Sequence, residues 1–143
     1  MFDRPFSEMQ AGDYWESVPR GVVASDRQLF AGWSGDHYPL HLDVGYAAAT
    51  RYRLPILHGL AVLSLPFGLV PLQAPQVIAF YGLHRLRFIN PVYNGDVITF
   101  SVRSLQTEIQ AISGLVTAQL EALLSGGTLA MIAEILMLMQ VGG

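Results

Sequence analysis

From residue 77 onward the chain alternates. Ile98, Phe100 and Val102 are apolar where Thr99, Ser101 and Arg103 are polar, and Val116, Ala118, Leu120 and Ala122 interleave with Thr117, Gln119 and Glu121. A period of two places each set on its own face of a strand. The pattern predicts four strands, over about 77–89, 96–108, 114–124 and 128–140. Turn signals at Asn94-Gly95, Ser113-Gly114 and Gly126-Gly127 separate them, and connections that short predict an antiparallel meander. The last segment, TLAMIAEILMLMQ, is apolar on both faces apart from Glu134, which predicts one face against a core helix and the other against a partner subunit.

Before residue 77 the pattern is helical. Ser25 and Gln28 have the capping-box spacing and predict a short helix through Leu29, Phe30 and Trp33 that stops at Gly35. Asp43 is placed to cap a second one over Val44 to Thr50. Residues His58 to Val70 are apolar nearly all round, with Ser64 the one polar side chain in the middle, and predict a central helix wrapped on most sides. The surrounding stretch, LPILHGLAVLSLPFGLVPL, approaches membrane-spanning length, but three prolines and His58 interrupt it, so a buried helix is predicted and not a membrane span. The first twenty residues, with a Gly12-Asp13 turn before Tyr14 and Trp15, predict a lead-in segment and a short edge strand. Without a repeat, a linker or a low-complexity tract, 1–143 is expected to be a single α+β domain, an antiparallel sheet around one long central helix.

Composition narrows the chemistry. Apolar residues make up 52% of the chain and charged ones 13%, more apolar surface than one core requires, which predicts a homodimer or higher homo-oligomer. The net charge of -3, without basic runs, gives no footprint for nucleic acid. With no cysteine and every basic residue an arginine, thiolate and lysine mechanisms are excluded. MFDRPFSEMQAGDYWE lacks the apolar stretch of a secretory signal, so the cytoplasm is expected.

Against that sparse background, GDHYPLHLD at 35–43 crowds two carboxylates and two histidines around Pro39. A proline there prevents a regular helix from Asp36 to His41, and a turn can aim two side chains five residues apart at one point. A metal is not expected: His37 and His41 have a helical ligand spacing that Pro39 opposes. A solvated, backbone-capping loop is the plain alternative. Asp43 and Asp96 are read as cap and turn residues, and His84 as a half-buried strand residue.

Three segments in order carry a resemblance. FAGWSGDHYPLHLDVGYAAAT, LPILHGLAVLS and FINPVYNGD resemble the signature elements of MaoC-like proteins, the hot-dog-fold (R)-specific enoyl-CoA hydratases and dehydratases. The resemblance spans most of residues 27 to 140 and implies a hot-dog domain. It implies that Asp36 and His41 bind and activate the water that adds to an enoyl thioester, with the Gly59 backbone N–H as oxyanion donor. Gly59 would open the central helix, where N–H groups are unpaired and a missing side chain allows close approach. Tyr38, His58, Ser64 and Phe67 are the expected substrate-binding positions, and for His58 the alternative is a structural residue bonding across the loop at the helix start. Two of them depart from the pattern: Tyr38 stands where Asn is common, and Phe67 stands where hydratases of short acyl chains carry a serine, which leaves the acyl group open.

The implied activity is reversible hydration of a 2-enoyl thioester carried on CoA or on an acyl carrier protein, without a cofactor. A repurposed dehydratase or cyclase on a polyketide-like substrate, or a silent partner subunit of a hydratase complex, remain the alternatives. Thioester hydrolysis is disfavoured because residues 58–70 contain no Asp or Glu. Arg51, Arg53, Arg85 and Arg87 are candidates to meet the phosphates of the carrier.

Overall fold

A computed structural model of the chain describes residues 1–142. The alternating segments form the long strands β3 (Val77–Phe88), β4 (Val97–Gln110), β5 (Ser113–Leu124) and β6 (Leu129–Gln140), and two short ones precede them, β1 (Tyr14–Glu16) and β2 (Arg20–Gly21). All pairings are antiparallel, in the order β1-β4-β5-β6-β3, with β2 also on β4. The apolar sets of the two alternating strands face inward: Phe100, Val116 and Leu120 are fully buried. Burial of one such side chain stabilises the fold by about 1.5–3 kcal/mol.

The four long strands are not the simple meander expected. β4, β5 and β6 run consecutively, but β3 pairs with β6. The free edge of β4 is taken by β1 and β2, and the 89–96 connection is tied to the N-terminal segment instead of closing a hairpin: Gly95 N donates to Val22 O at 2.8 Å, and Val22 N to Asp96 O at 2.8 Å. The connection from β4 to β5 is also displaced from Ser113-Gly114 to Ala111-Ile112. Gly114 is a strand residue there, with the Phe6 ring occupying the space its side chain would need.

The helices lie N-terminal to β3, as the pattern predicted. α1 (Ala24–Ser34) starts two residues earlier than expected: Val23 and not Ser25 is its cap, and Asp26, in place of Gln28, bonds back to the cap N–H at 2.9 Å. It ends at Gly35, whose φ of 79° is the left-handed conformation that closes helices. α2 (Pro39–Leu42) is one turn; α3 (Val44–Ala48) is capped by Asp43, which accepts from Tyr46 N at 2.9 Å. The central helix, α4 (Gly59–Ser64), is shorter than predicted: a 3-10 turn over Leu65–Gly68 continues it, because Pro66 has no N–H to extend the α ladder. Ala61, Val62 and Leu63 join the core, while Leu60 and Ser64 are exposed, so the sheet covers one side of this helix and not most of it. Phe88 and Phe80 of β3 meet Gly59 and Phe67 of the helical segment, placing the segment along the inner face of the edge strand. This is the hot-dog arrangement, a central helix laid against a long antiparallel sheet. No described helix is long and apolar enough to cross a membrane.

Candidate active site

The left-handed Gly35 turns the chain out of α1, and Pro39, at the first position of α2, starts a new turn of helix where the sequence suggested only a break. Asp36 and His41 therefore stand on either side of a loop-to-helix junction. Asp36 is exposed; its N–H donates to Ser34 Oγ at 3.1 Å, and its Oδ1 accepts from Tyr38 N at 3.2 Å. His41 is half-buried, with Nδ1 2.9 Å from Ile56 O. A carbonyl only accepts, so that nitrogen carries a proton and Nε2 is the nitrogen left to face other partners. Arg27 of α1 braces the same turn, its Nε donating to His41 O at 2.9 Å.

The second motif locks onto the first. His58 Nε2 donates to Asp36 O at 2.9 Å, and its ring lies face to face with His41, centroids 3.9 Å apart and planes 25° apart. Desolvation by burial pushes the His58 imidazole below its ordinary value of 6.5, in spite of the opposing bond to Asp36, so the ring is uncharged. The third motif locks onto the second: Leu57 N donates to Val92 O at 2.8 Å, and Asp96 closes the turn by accepting from Tyr93 N at 2.7 Å.

A carboxylate oxygen of Asp36 and one ring nitrogen each of His41 and His58 lie within 4.8 Å of one another. The donor set is that of a metal site, but the geometry is not. Imidazole lone pairs lie in the ring plane, and the planes of these two rings are stacked 25° apart with centroids 3.9 Å apart, so an ion about 2.0–2.1 Å from a nitrogen of each would lie well out of at least one plane. The arrangement suits a hydrogen-bonded water shared by an acid–base pair.

Next to this cluster is a cavity of about 530 Å³ lined by Gly59, Ile56, Val62, Phe88, Tyr93 and Arg51. Ile56 joins the two, since its carbonyl holds His41 and the residue lines the cavity. The Gly59 N–H is the first of α4 and has no partner within the helix.

The expected substrate-binding positions separate. Tyr38 is exposed, its hydroxyl 2.9 Å from that of Tyr46 and its ring edge-on to His41 at 6.1 Å. His58 is 2% exposed. Ser64 lies in a smaller crevice with Trp33 and Phe30, and its hydroxyl donates to Ala61 O at 2.8 Å. Phe67 packs on Phe80, centroids 4.6 Å apart. Of the four arginines only Arg51 lines the cavity, with its guanidinium 2.9 Å from the Tyr52 hydroxyl. Arg85 pairs with Glu134, and Arg53 and Arg87 bond to main-chain carbonyls. Arg27, the Ile56 carbonyl and Phe88 were not found from the sequence, although Phe88 is the first residue of the third motif.

A family model described as "MaoC like domain" matches residues 8–123. The chain belongs to the MaoC-like domain family. It is 35% identical over 111 residues to the (R)-specific enoyl-CoA hydratase of Aeromonas caviae, covering 78% of this chain and 81% of that one. It is 39% identical over 98 residues to Protein MaoC of Klebsiella aerogenes, but the match covers 68% of this chain and only 29% of that much longer protein. Among solved structures, a monoamine oxidase regulatory protein from Archaeoglobus fulgius superimposes with a TM-score of 0.92 at 33% identity, over 99% of this chain and 97% of that one. The MaoC-like assignment covers all three motifs that build the site.

Proposed function

We propose that this MaoC-like chain catalyses the reversible hydration of a 2-enoyl thioester to the 3-hydroxyacyl thioester, with Asp36 and His41 activating the water. It is an enzyme of the hydratase and dehydratase class to which its relatives belong. One observation carries the assignment of residues: the Asp36 carboxylate and a His41 nitrogen lie within 4.8 Å of each other, the carboxylate held by Tyr38 N and the ring by Ile56 O. A water between them gives one hydrogen to each acceptor and presents its oxygen to C3. As the C3–O bond forms, the C2–C3 π pair moves toward the thioester carbonyl. One proton passes from the water to the pair, and the pair returns one to C2 on the same face. The result is syn addition of H and OH, with both side chains restored. General acid–base catalysis of this kind supplies about 10²–10⁴ in rate.

The developing enolate needs a donor, and the unpaired Gly59 N–H opens onto the cavity that would hold the thioester. Arg51 on the wall of that cavity supports a phosphate-bearing carrier, CoA or the arm of an acyl carrier protein. The Phe67 and Phe80 rings pack on each other along the helical segment, and neither lines that cavity.

The deciding assay follows loss of the enoyl-thioester absorbance with trans-2-enoyl-CoA substrates from four carbons upward. Turnover by the wild type that disappears in His41→Ala is the expected result. Silence across the series in a folded protein would instead favour a cyclic or carrier-bound substrate, or a silent subunit.

The working form is a homodimer. β3 is the last strand of the sheet, and its Ile78, Phe80, Tyr81 and Phe88 are each at least 45% exposed in the single chain. An open apolar edge of this length invites strand pairing with a second copy. Sedimentation should give twice the 15.7 kDa chain mass, and a monomer at micromolar concentration would contradict the proposal.

A further inference from the structure

His58 is the one buried histidine among the described residues, and two of its three side-chain contacts lead to the proposed acid–base pair. Nε2–H holds the Asp36 carbonyl at 2.9 Å, one ring face meets His41 at 3.9 Å, and Phe30 of α1 packs on the ring at 4.8 Å. Because Nε2 donates and the ring is uncharged, Nδ1 is a bare acceptor; it is buried and has no partner among the described residues. A buried acceptor without a donor is costly. Leucine or phenylalanine would fill the same volume without that cost. What they lack is the hydrogen-bond donor, and its recipient is the main chain of Asp36.

The two candidate catalytic groups need such support for different reasons. Asp36 lies on an exposed loop between a left-handed glycine and a proline, and the only other hold on its main chain is the bond from its N–H to Ser34 Oγ. The His41 ring is tethered in its own plane by Ile56 O, a bond that leaves its tilt free. Stacking on His58 removes that freedom.

We propose that His58 is a positioning residue for hydration: through its Nε2–H it fixes the main chain of Asp36, and through its face it fixes the plane of the His41 ring. The proposal rests on Asp36 and His41 being the water-activating pair. It assigns His58 no contact with substrate.

Two substitutions divide the two roles. His58→Gln retains a side-chain N–H donor of similar reach and removes the stacked ring. His58→Phe retains a ring and removes the donor. Steady-state kinetics on the enoyl-CoA best used by the wild type, melting temperatures, and crystal structures of both variants form the test. The expected result is a kcat lowered about a hundredfold in His58→Phe and about tenfold in His58→Gln, with KM within about threefold, since displacing a reacting group by about 1 Å costs on that order. The Asp36 loop should move in His58→Phe, and the His41 ring should tilt in His58→Gln. A filler role would lower the melting temperature and leave kcat per folded molecule unchanged, and that outcome overturns the proposal. If His58→Phe does not fold, kcat and the His41 tilt in His58→Gln decide alone. If the wild type turns over no thioester, the hydratase assignment falls and takes the role in hydration with it, while an unmoved Asp36 and His41 in the variant crystals would separately overturn the hold of His58 on the pair.

Discussion

Asp36→Asn is expected to fold and dimerise as the wild type does and to hydrate crotonyl-CoA at least about a hundredfold more slowly. The substitution is nearly isosteric, and every contact that places the loop survives it. The Ser34 Oγ and His58 Nε2 bonds engage the main chain of residue 36, and the amide oxygen of asparagine still accepts from Tyr38 N as Oδ1 does at 3.2 Å. What disappears is a carboxylate able to take a proton. The loss should appear in kcat and kcat/KM together, because a group that acts only as the water is deprotonated contributes nothing to ground-state binding. A variant with near wild-type turnover and an unchanged melting temperature would remove Asp36 from the mechanism and leave it as a turn residue.

How much of this was legible in the sequence depends on the range of the interaction. Turn and cap chemistry is local, and Gly35, Asp43 and Asp96 do what their positions predicted. The inward faces of the strands followed from the period of two. That period fixes which face a residue takes and not which strand lies beside it, so the pairing of β3 with β6 could not be read from it. Gly114 looked like a turn residue because the pattern does not reveal that Phe6, more than a hundred positions earlier, needs the space. The Ser25–Gln28 spacing suggested a capping box, but the carboxylate of Asp26 accepts from the Val23 N–H and sets the cap two residues earlier. In the site, Asp36, His41 and Gly59 were reached through the resemblance of three motifs, and the structure brings those motifs together. The supports that hold them are mostly main-chain carbonyls, Asp36 O and Ile56 O, which no residue pattern advertises.

Gly59→Ala tests the remaining catalytic assignment, and the structure changes what it should do. A Cβ on Gly59 would sit 2.9 Å from two carbons of the Phe88 ring, so an alanine collides with that ring before any substrate arrives. Gly59 is not among the residues of positive φ, so space and not backbone conformation requires glycine here. Phe88 is 48% exposed in the single chain but lies on the edge that the proposed dimer would cover, so the ring has little room to turn aside, and the expected destabilisation is about 1–3 kcal/mol, the usual range for overpacking. Turnover should fall further than stability, by about 10²–10³, if the methyl also keeps a thioester oxygen from the N–H. Adding Phe88→Leu separates the two effects. In Gly59→Ala/Phe88→Leu the collision is relieved and the melting temperature should return toward that of Phe88→Leu alone, while kcat stays low because the methyl still stands beside the N–H. Recovery of turnover together with stability would show instead that Gly59 is kept for the packing of Phe88, and the oxyanion donor would have to be sought elsewhere on the cavity wall.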